Sequence, residues 1–310
     1  MSRRGAVLVA LLLAGCAAKP PGPDAFVFGV LGDTPYTERE DAEFLSMIRR
    51  INQEDLAFSI HVGDFKGSGA CSDELFRKRL AEFNSFAAPL IYTPGDNEWT
   101  DCRRRHMGSG DPLDALARLR KTFFTEARSL GEVKIDTAMQ LACEAPPPSG
   151  CGCAFPENRQ WVHGRVVFVT LNVPGSDNNV GFDAASDAEA RCRDAANAQW
   201  LERAVTTAAS PGMRALVIAM QANPWIAKKP VVFAPLLAQV EAAHARLRKP
   251  ILFVHGDSHT YRVDTPFVAP ITRLETYGSP FVGWVKVTVD PARPDLFFFE
   301  PRLRAIVVPQ

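Results

Sequence analysis

The sequence predicts an α/β fold in which mixed β-sheets are flanked by helices and the chain ends in a β-hairpin. Short apolar runs alternate with amphipathic helical patterns along most of the chain, as in proteins built from strand–helix units. Four apolar runs end in a Gly-Asp pair, which places Asp33, Asp64, Asp96 and Asp257 at strand ends. Ligand sites of open α/β sheets lie beyond the carboxyl ends of strands, so we expect these carboxylates to converge at one sheet edge.

The elements follow in order along the chain. Apolar runs predict strands at 26–31, 56–62, 89–92, 165–171, 215–220 and 251–255, and helical spacing predicts helices at 38–52, 73–86, 112–124, 187–208 and 231–247. Asp111 is expected to cap the third helix. The cysteine-rich stretch 125–164 is predicted to be irregular. Residues 283–290 and 296–300 are typical of a C-terminal hairpin across a Pro-Ala-Arg-Pro turn.

The composition is that of a globular protein without charge bias. The chain has 310 residues, of which 35 are basic and 35 acidic, so the formal net charge is zero. A general nucleic-acid binder is expected to carry a basic excess, so no general nucleic-acid binding is expected here. The length fits one large α/β domain or two, and no second domain boundary is visible.

A targeting segment opens the sequence. Arg3 and Arg4 precede a short apolar run at 6–13, and small residues then lead to Cys16. The run is too short to span a bilayer, and the pattern resembles a bacterial lipobox, whose cysteine is acylated after cleavage. The predicted organisation is a lipoprotein signal peptide at 1–15, a lipidated cysteine with a tether at 16–24, and a single domain at 25–310. An ordinary secretory signal with an incidental cysteine is the alternative.

This N-terminus predicts a location in the bacterial cell envelope. The protein is expected to face the periplasm and to touch the membrane only through its lipid anchor. Ala17, rather than an aspartate, follows the cysteine, a pattern that resembles sorting to the outer membrane.

Export changes the interpretation of the other cysteines. Six remain without Cys16, and an even number in an oxidising compartment predicts three disulfides. Cys71 and Cys102 each follow a Gly-Asp strand end by a few residues, so we expect their loops on one rim and the two sulfurs joined. The connectivity stays open for Cys143, Cys151, Cys153 and Cys192. A zinc knuckle competes there, but no Cys-x-x-Cys pair is present.

Five short blocks occur in order along residues 25–310. They are Gly32-Asp33-Thr-Pro35, Gly63-Asp64, Gly95-Asp96-Asn97-Glu98, Ala219-Met-Gln221-Ala-Asn-Pro224 and Gly256-Asp-Ser-His259-Thr-Tyr-Arg262. Together they resemble the motifs of the calcineurin-like metallophosphoesterases, a family that includes the purple acid phosphatases. The resemblance implies a calcineurin-like phosphoesterase domain at 25–310, folded as a metallophosphoesterase-like sandwich.

The resemblance also implies a set of metal ligands, from which this sequence departs at several positions. The implied ligands are Asp33, Asp64, Asp96, Gln221, Asp257 and His259, with Asp64 as the bridge between two metals. Pro35 stands where the family has a ligating histidine, and Asp96 replaces an asparagine. Gln221 and Asp257 replace two further histidines.

The third block carries the predicted catalytic residues that act beside Asp64. Asn97 takes the position of the histidine that protonates the leaving group in the family. A one-residue slip would instead make Asn97 a ligand and Glu98 the proton donor, and both registers stay open. Without a positioned acid, poor leaving groups react slowly, since proton transfer contributes about 10²–10⁴-fold. Rim residues that could bind the substrate are Lys66, Arg103 and Arg262, with Tyr36 as a further candidate.

A ligand set dominated by oxygen favours hard cations. Several buried carboxylates cannot ionise close together without cations, because their mutual repulsion raises their pKa values. Oxygen ligands suit Mn²⁺, Mg²⁺ or Ca²⁺ better than the zinc and iron ions of histidine-rich sites. We expect one or two such divalent ions, which would polarise a phosphoryl oxygen and activate water.

These expectations lead to two functions of different classes. The first is an exported, lipid-anchored metallophosphoesterase that hydrolyses a phosphate mono- or diester, on a small molecule or a nucleotide, by metal-activated water. The alternative is a degenerate, non-catalytic family member that binds a ligand, an ion or an envelope partner. A simpler interpretation makes each strand-end aspartate a helix N-cap. His61 and His255 lie inside apolar strands and are expected to pack in the core.

Overall fold

The computed structural model describes residue 22, residues 24–143 and residues 145–303 of the chain. Two β-sheets pack face to face, and helices cover their outer faces. The first sheet contains β1 (Phe26–Leu31), β2 (Phe58–His61), β3 (Leu90–Tyr92), β11 (Gly283–Val289) and β12 (Phe297–Leu303), in the order β12-β11-β1-β2-β3. β1, β2 and β3 are parallel, whereas β11 and β12 form the predicted C-terminal hairpin.

The second sheet has seven strands. They are β4 (Ala138–Gln140), β5 (Phe155–His163), β6 (Val166–Thr170), β7 (Ala215–Ala219), β8 (Ile251–His255), β9 (Arg262–Asp264) and β10 (Thr272–Glu275), in the order β4-β5-β6-β7-β8-β10-β9. The central strands β6, β7, β8 and β10 are parallel, and the outer ones pair antiparallel.

Helices form the two outer layers. On the first sheet lie α1 (Glu38–Ile51), α2 (Asp73–Asn84) and α3 (Pro112–Phe123), and on the second α5 (Ala184–Ala209) and α6 (Ala234–Leu247). The loops contain one short turn, α4 (Gly175–Asn178), and the 3-10 turns Thr100–Arg103, Arg105–Met107 and Pro230–Val232. The side chains of Thr37, Ser72, Asp111 and Asp183 cap helices. None of the four strand-end aspartates caps a described helix, so the N-cap interpretation of them is wrong.

The core between the sheets is aromatic. The Phe58 ring contacts those of Phe168 and Trp161, with ring centroids 5.0 and 5.5 Å apart. Fully burying a ring of this size stabilises the fold by roughly 1.5–3 kcal/mol. His61 and His255 are buried in β2 and β8, and burial lowers the pKa of each to about 3. Both imidazoles therefore pack in the core as neutral rings.

The prediction that residues 125–164 are irregular is wrong, because they contain β4 and β5. Four consecutive polar residues of β5, 157–160, are buried and hide the strand from hydrophobic patterning. Partners from elsewhere in the fold satisfy them: Arg120 donates to Glu157, and Asn158 donates to Gln140. Strands β9 and β10 also escape the pattern.

Three disulfides close the loops. The structure joins Cys71 with Cys102, the pair favoured by the sequence, across a separation of 31 residues. It joins the four cysteines of the open connectivity as Cys143–Cys153 and Cys151–Cys192, so the zinc-knuckle interpretation is wrong. Cys16 lies outside the described residues. Within the described part of the chain, no helix is long and apolar enough to cross a membrane.

Candidate functional site

The carboxyl ends of β1, β2, β3 and β8 meet at one edge of the sandwich and bring the four strand-end aspartates together. The backbone N–H of Asp257 donates to Asp33 Oδ1 at 2.9 Å, and that of Asp33 donates to the carbonyl of Gly63 at 2.9 Å. Asp33, Asp64 and Asp257 have φ angles of 51°, 57° and 77°, a left-handed region that non-glycine residues rarely adopt. Such strain persists only where the surroundings enforce it, and it clusters at functional sites.

Close packing explains two of the glycines in the Gly-Asp pairs. A Cβ added to Gly95 would lie 2.1 Å from Asp64 Oδ1, and one added to Gly256 would lie 2.0 Å from Asp33 Oδ2. Each glycine therefore gives a neighbouring carboxylate the space it needs.

Burial and mutual repulsion dominate the electrostatics of the site. Burial raises the pKa values of Asp33 and Asp64 well above their ordinary range, and the charges of Asp257 and Asp96, respectively, raise them further. Burial, then Asp96, raises the pKa of Asp257 to about 7. The oxygens Asp33 Oδ2 and Asp96 Oδ1 are buried and have no hydrogen-bond partner among the described residues. Full ionisation of these aspartates is therefore unfavourable without a counter-charge.

The Tyr36 hydroxyl lies between two of the implied ligands. It donates to Asp64 Oδ2 at 2.9 Å and lies 3.2 Å from His259 Nε2. The Nδ1 atom of His259 faces the Ser279 carbonyl at 2.7 Å, and because a carbonyl only accepts, Nδ1 carries the proton. Burial, then Asp64, raises the pKa of Tyr36 well above its ordinary value, so the phenol stays protonated.

Asp96 contacts the turn α4 through a serine. The Ser176 hydroxyl lies 2.8 Å from Asp96 Oδ2 and 2.7 Å from Asp101 Oδ1, and Arg104 donates to it at 2.8 Å. The turn is left-handed, with positive φ angles at Ser176, Asp177, Asn178 and Asn179. Burial, then Asp96, raises the pKa of Asp101 to about 7. The strained turn therefore holds Ser176 against two acids.

Two carboxylates pack closely against Gly175. A Cβ added there would lie 2.7 Å from Asp96 Oδ1 and 2.9 Å from Asp257 Oδ1. Gln221 completes this region: its Oε1 accepts from the Gly175 N–H at 2.5 Å, and its Nε2 donates to Asp64 Oδ2 at 3.2 Å.

The two candidate proton donors of the third block contact the main chain. Glu98 is fully buried and accepts from the Tyr92 hydroxyl at 2.7 Å and from the backbone N–H groups of Gly95 and Asp64 at 2.8 and 3.0 Å. The Asn97 side chain donates to a backbone carbonyl at 2.8 Å, and its N–H donates to Asp64 Oδ1 at 2.9 Å. Both residues fix the shape of the loop, and their catalytic roles stay predictions.

The three predicted substrate-binding side chains differ in how strongly they are bound by other groups of the protein. Lys66 is buried, and its ammonium group donates to backbone carbonyls at 2.9 and 3.3 Å. Arg103 donates to the Thr100 carbonyl at 2.8 Å and also stacks on an aromatic ring. The Arg262 side chain is 40% exposed, and its Nε lies 3.8 Å from Glu275 Oε2. Arg262 therefore makes the weakest contacts of the three.

Sequence reasoning missed four polar residues of this region. The Ser176 hydroxyl contacts Asp96, and Asp101 contacts the same hydroxyl. The backbone N–H of Asn223 donates to Asp257 Oδ2 at 2.8 Å. Glu275 accepts from Ser258, and burial raises its pKa. Asn223 lies in the fourth block, which is a usable signal, whereas Ser176 depends on a loop conformation that residue spacing does not reveal.

The donor chemistry of the site fits a hard cation. Carboxylate oxygens dominate it, and two buried, unpartnered oxygens are groups that a cation would neutralise. In the arrangement described for residues 22, 24–143 and 145–303, no three histidine, cysteine, aspartate or glutamate side chains form a metal-binding group. Hydrogen bonds from Tyr36, Gln221 and Ser176 hold the aspartates instead. Cation binding would require some of these bonds to rearrange.

Comparison with known proteins supports the fold. No protein-family model and no curated protein matches the sequence. The chain is similar to the structure of a dimetal phosphatase from Danio rerio, with 11% identity and a TM-score of 0.55 over 90% of this chain and 96% of that one.

Two further solved structures have lower TM-scores. One is a sulfate thiohydrolase from Thermus thermophilus in complex with glycerol, with 15% identity and a TM-score of 0.45 over 84% of this chain and 42% of that one. The other is a conserved uncharacterised protein, a predicted phosphoesterase, from Streptococcus pneumoniae, with 7% identity and a TM-score of 0.34 over 90% of this chain and 98% of that one. The similarity to the Danio rerio protein and the two mixed sheets flanked by helices establish that this chain has a metallophosphoesterase-like sandwich fold.

Proposed function

We propose that the protein is an exported, lipid-anchored phosphoesterase that hydrolyses a phosphate mono- or diester with the help of a bound divalent cation. One observation carries the proposal: four aspartates converge at strand ends, and buried oxygens of Asp33 and Asp96 lack hydrogen-bond partners in the described part of the chain. Such a concentration of negative charge is costly unless a cation neutralises it. Carboxylates perturbed in this way are typical of catalytic sites.

The residues around Asp96 have distinct proposed roles. Asp64, Asp96 and Asp257 would hold the cation, which when bound polarises a phosphoryl oxygen and lowers the pKa of water. Gln221 orients Asp64 through its amide N–H, and Ser176 orients Asp96 through its hydroxyl. Fixing the carboxylates in this way contributes to catalysis by positioning, since small misplacements of reacting groups are costly.

Basic residues on the rim favour an anionic substrate. The Arg104 side chain is 46% exposed and pairs with Asp101 at 2.9 Å, and Arg262 makes only a long contact with Glu275. A guanidinium group binds phosphate oxygens in a planar, two-pronged arrangement, so either arginine could engage a phosphoester. A small phosphoester or a nucleotide fits this rim better than a nucleic-acid polymer, because the chain has no net positive charge.

The cellular setting is part of the proposal. Cys16 and the signal-peptide pattern at 1–15 lie outside the described residues, and the three disulfides suit an oxidising compartment such as the periplasm. The protein would face the periplasm from the outer membrane. Replacing Cys16 by serine is expected to move the protein from the membrane to the soluble fraction. A Cys16→Ser protein that still sediments with membranes would contradict the lipid anchor.

The test of activity combines cation titration with a substrate panel. The full chain is stripped of metal, supplied with Mn²⁺, Mg²⁺, Ca²⁺ or Zn²⁺, and assayed on phosphomonoesters, phosphodiesters and nucleotides. We expect cation-dependent hydrolysis, and Asp64→Asn should lower it by at least about 10²-fold because metal stabilisation is worth several kcal/mol. Asp295→Asn, at an exposed position, is the matched control. Hydrolysis that survives Asp64→Asn undiminished argues against the proposal.

A second function, cation-dependent binding of a phosphorylated ligand without hydrolysis, is favoured by the third block. The side chains of Asn97 and Glu98 are both engaged by main-chain groups, so neither is poised to protonate a leaving group. The same titration separates the two functions: cation and phosphate binding without turnover on any ester would favour this one.

A further inference from the structure

We infer that the site holds a single divalent cation, on Asp64, Asp96 and Asp257, and that the Tyr36 hydroxyl fills the gap between Asp64 and His259 where a second cation would bind. The inference rests on the proposed cation dependence and specifies its stoichiometry. It concerns two sides of Asp64: the Tyr36 side, with Asp33 and His259, and the Gly175 side, with Asp96 and Asp257.

On the Tyr36 side, a hydroxyl oxygen already occupies the central position. It lies 2.9 Å from Asp64 Oδ2 and 3.2 Å from His259 Nε2. A cation shared by those two atoms would lie about 2.0–2.6 Å from each, in the same gap. Hydroxyl and cation cannot occupy it together.

The Tyr36 hydroxyl is held in that gap by the rest of the residue. Its ring packs edge-on against the His259 ring, with centroids 5.0 Å apart. Its backbone N–H donates to Glu40 Oε2 at 2.8 Å, and Glu40 Oε1 accepts from Ser279 at 2.8 Å. Pro35, directly before it, offers no side-chain donor. The Tyr36 side therefore replaces a cation with a hydrogen-bonded phenol.

On the Gly175 side an unpartnered carboxylate oxygen lies near a second acid, whereas the unpartnered Asp33 Oδ2 of the Tyr36 side packs against Gly256. Asp96 is only 7% exposed, and its Oδ1 has no hydrogen-bond partner within residues 22, 24–143 and 145–303. That oxygen and Asp257 Oδ1 both pack against Gly175, 2.7 and 2.9 Å from the position that a Cβ there would take. The carboxylate of Asp64 adds a third acid nearby, since Gln221 accepts from the Gly175 N–H at 2.5 Å and donates to Asp64 Oδ2 at 3.2 Å. Three carboxylates, one of them with an unpartnered oxygen, suit one hard cation.

The experiment counts Mn²⁺ ions on the full chain. Metal content after dialysis gives the stoichiometry, and electron paramagnetic resonance distinguishes an isolated Mn²⁺ from two coupled ions. We expect one isolated ion in the wild type. His259→Ala should retain it with its Kd changed by less than about threefold, whereas Asp257→Ala should weaken binding at least about tenfold, the lower bound for second-shell changes. Asp257→Asn serves if the alanine variant does not fold, and Asp295→Ala is the control for loss of an exposed charge.

Tyr36→Phe tests the role of the hydroxyl. This variant keeps the ring and opens the gap, so we expect a second, weaker Mn²⁺ that disappears in the Tyr36→Phe/His259→Ala double variant. Two coupled ions in the wild type, loss of the ion in His259→Ala, or a single ion in Tyr36→Phe would overturn the inference while leaving the proposed function intact. Absence of any bound Mn²⁺ would remove the proposed cation dependence as well.

Discussion

Two buried acidic regions of this protein solve the same electrostatic problem differently. Glu157 is fully buried, which by itself would raise its pKa, yet Arg120 lowers the pKa below its ordinary value through bonds of 2.6 and 2.9 Å. Asn172 adds a further bond at 2.9 Å. Asp64 is also buried, but its strongest charged neighbour is another acid, Asp96, and its pKa rises.

The difference separates a structural ion pair at Glu157 from a candidate functional site at the strand-end aspartates. Glu157 has its counter-charge within the chain, so its pair is part of the structure of the second sheet and α3. Within the described residues the strand-end aspartates form no ion pair with arginine or lysine. Asp33 faces His259 at 3.9 Å, and one oxygen each of Asp33 and Asp96 has no hydrogen-bond partner. A protein keeps an unfavourable arrangement of this kind where function requires it. This difference supports the proposed cation site at the strand ends, whereas Glu157 is already neutralised by Arg120.

Replacing Arg120, the counter-charge of Glu157, should have the largest effect on the free energy of unfolding. Arg120→Met leaves Glu157 buried without its cation, and breaking a buried pair in this way costs about 3–5 kcal/mol. Urea unfolding monitored by circular dichroism measures the loss. Arg39→Met, which removes a guanidinium from an exposed pair, should cost less than about 1 kcal/mol. Equal losses in the two variants would mean that the Glu157 pair is not a structural one.

Buried histidine provides a third case, a group that folding keeps neutral. Burial holds the pKa of His61 at about 3, against about 6.5 in the unfolded chain. The unfolded chain therefore binds a proton that the folded chain excludes, so this contribution is complete above about pH 6.5 and is lost as the pH falls towards 3. At about pH 5 the loss is about 2 kcal/mol.

A variant isolates this contribution from the carboxylates, which titrate in both proteins. The free energy of unfolding is measured at about pH 7.5 and about pH 5 for the wild type and His61→Gln. The wild type should lose about 2 kcal/mol more than the variant on acidification. Identical changes in both proteins would show that His61 is not held neutral.

The substitution Gly175→Ala tests whether the close approach of two carboxylates to Gly175 matters for cation binding. The Cβ of Gly175→Ala would crowd Asp96 and Asp257 at 2.7 and 2.9 Å, so the carboxylates must move. Overpacking of this kind costs about 1–3 kcal/mol, and Mn²⁺ affinity should fall at least about tenfold. Gly152→Ala is the matched control, because an added Cβ there meets nothing within 4 Å. Unchanged Mn²⁺ affinity in Gly175→Ala would contradict a cation on this side.

The sequence predicts the placement of the four strand-end aspartates better than the elements around them, for physical reasons. The Gly-Asp pairs follow apolar runs, so local pattern alone locates Asp33, Asp64, Asp96 and Asp257 at strand ends. Strand β5 escapes prediction because its polar side chains are buried against partners such as Arg120, which lies far away in sequence. Ser176 escapes because its left-handed turn depends on contacts from other elements.

The smallest predicted effect, Asp96→Asn, has the opposite sign from Arg120→Met and so tests the comparison most directly. Asp96 raises the pKa values of Asp64, Asp101 and Asp257, which means that its charge opposes folding. The isosteric amide can still accept from Ser176, so with chelator present the variant should be more stable by about 0.5–2 kcal/mol. Saturating Mn²⁺ should reverse the order, because a cation at 100 times its Kd stabilises the wild type by about 2.7 kcal/mol and the variant binds it more weakly. Urea unfolding with and without Mn²⁺ measures both. A variant that is less stable than the wild type in chelator would mean that Asp96, like Glu157, already has its compensation within the chain.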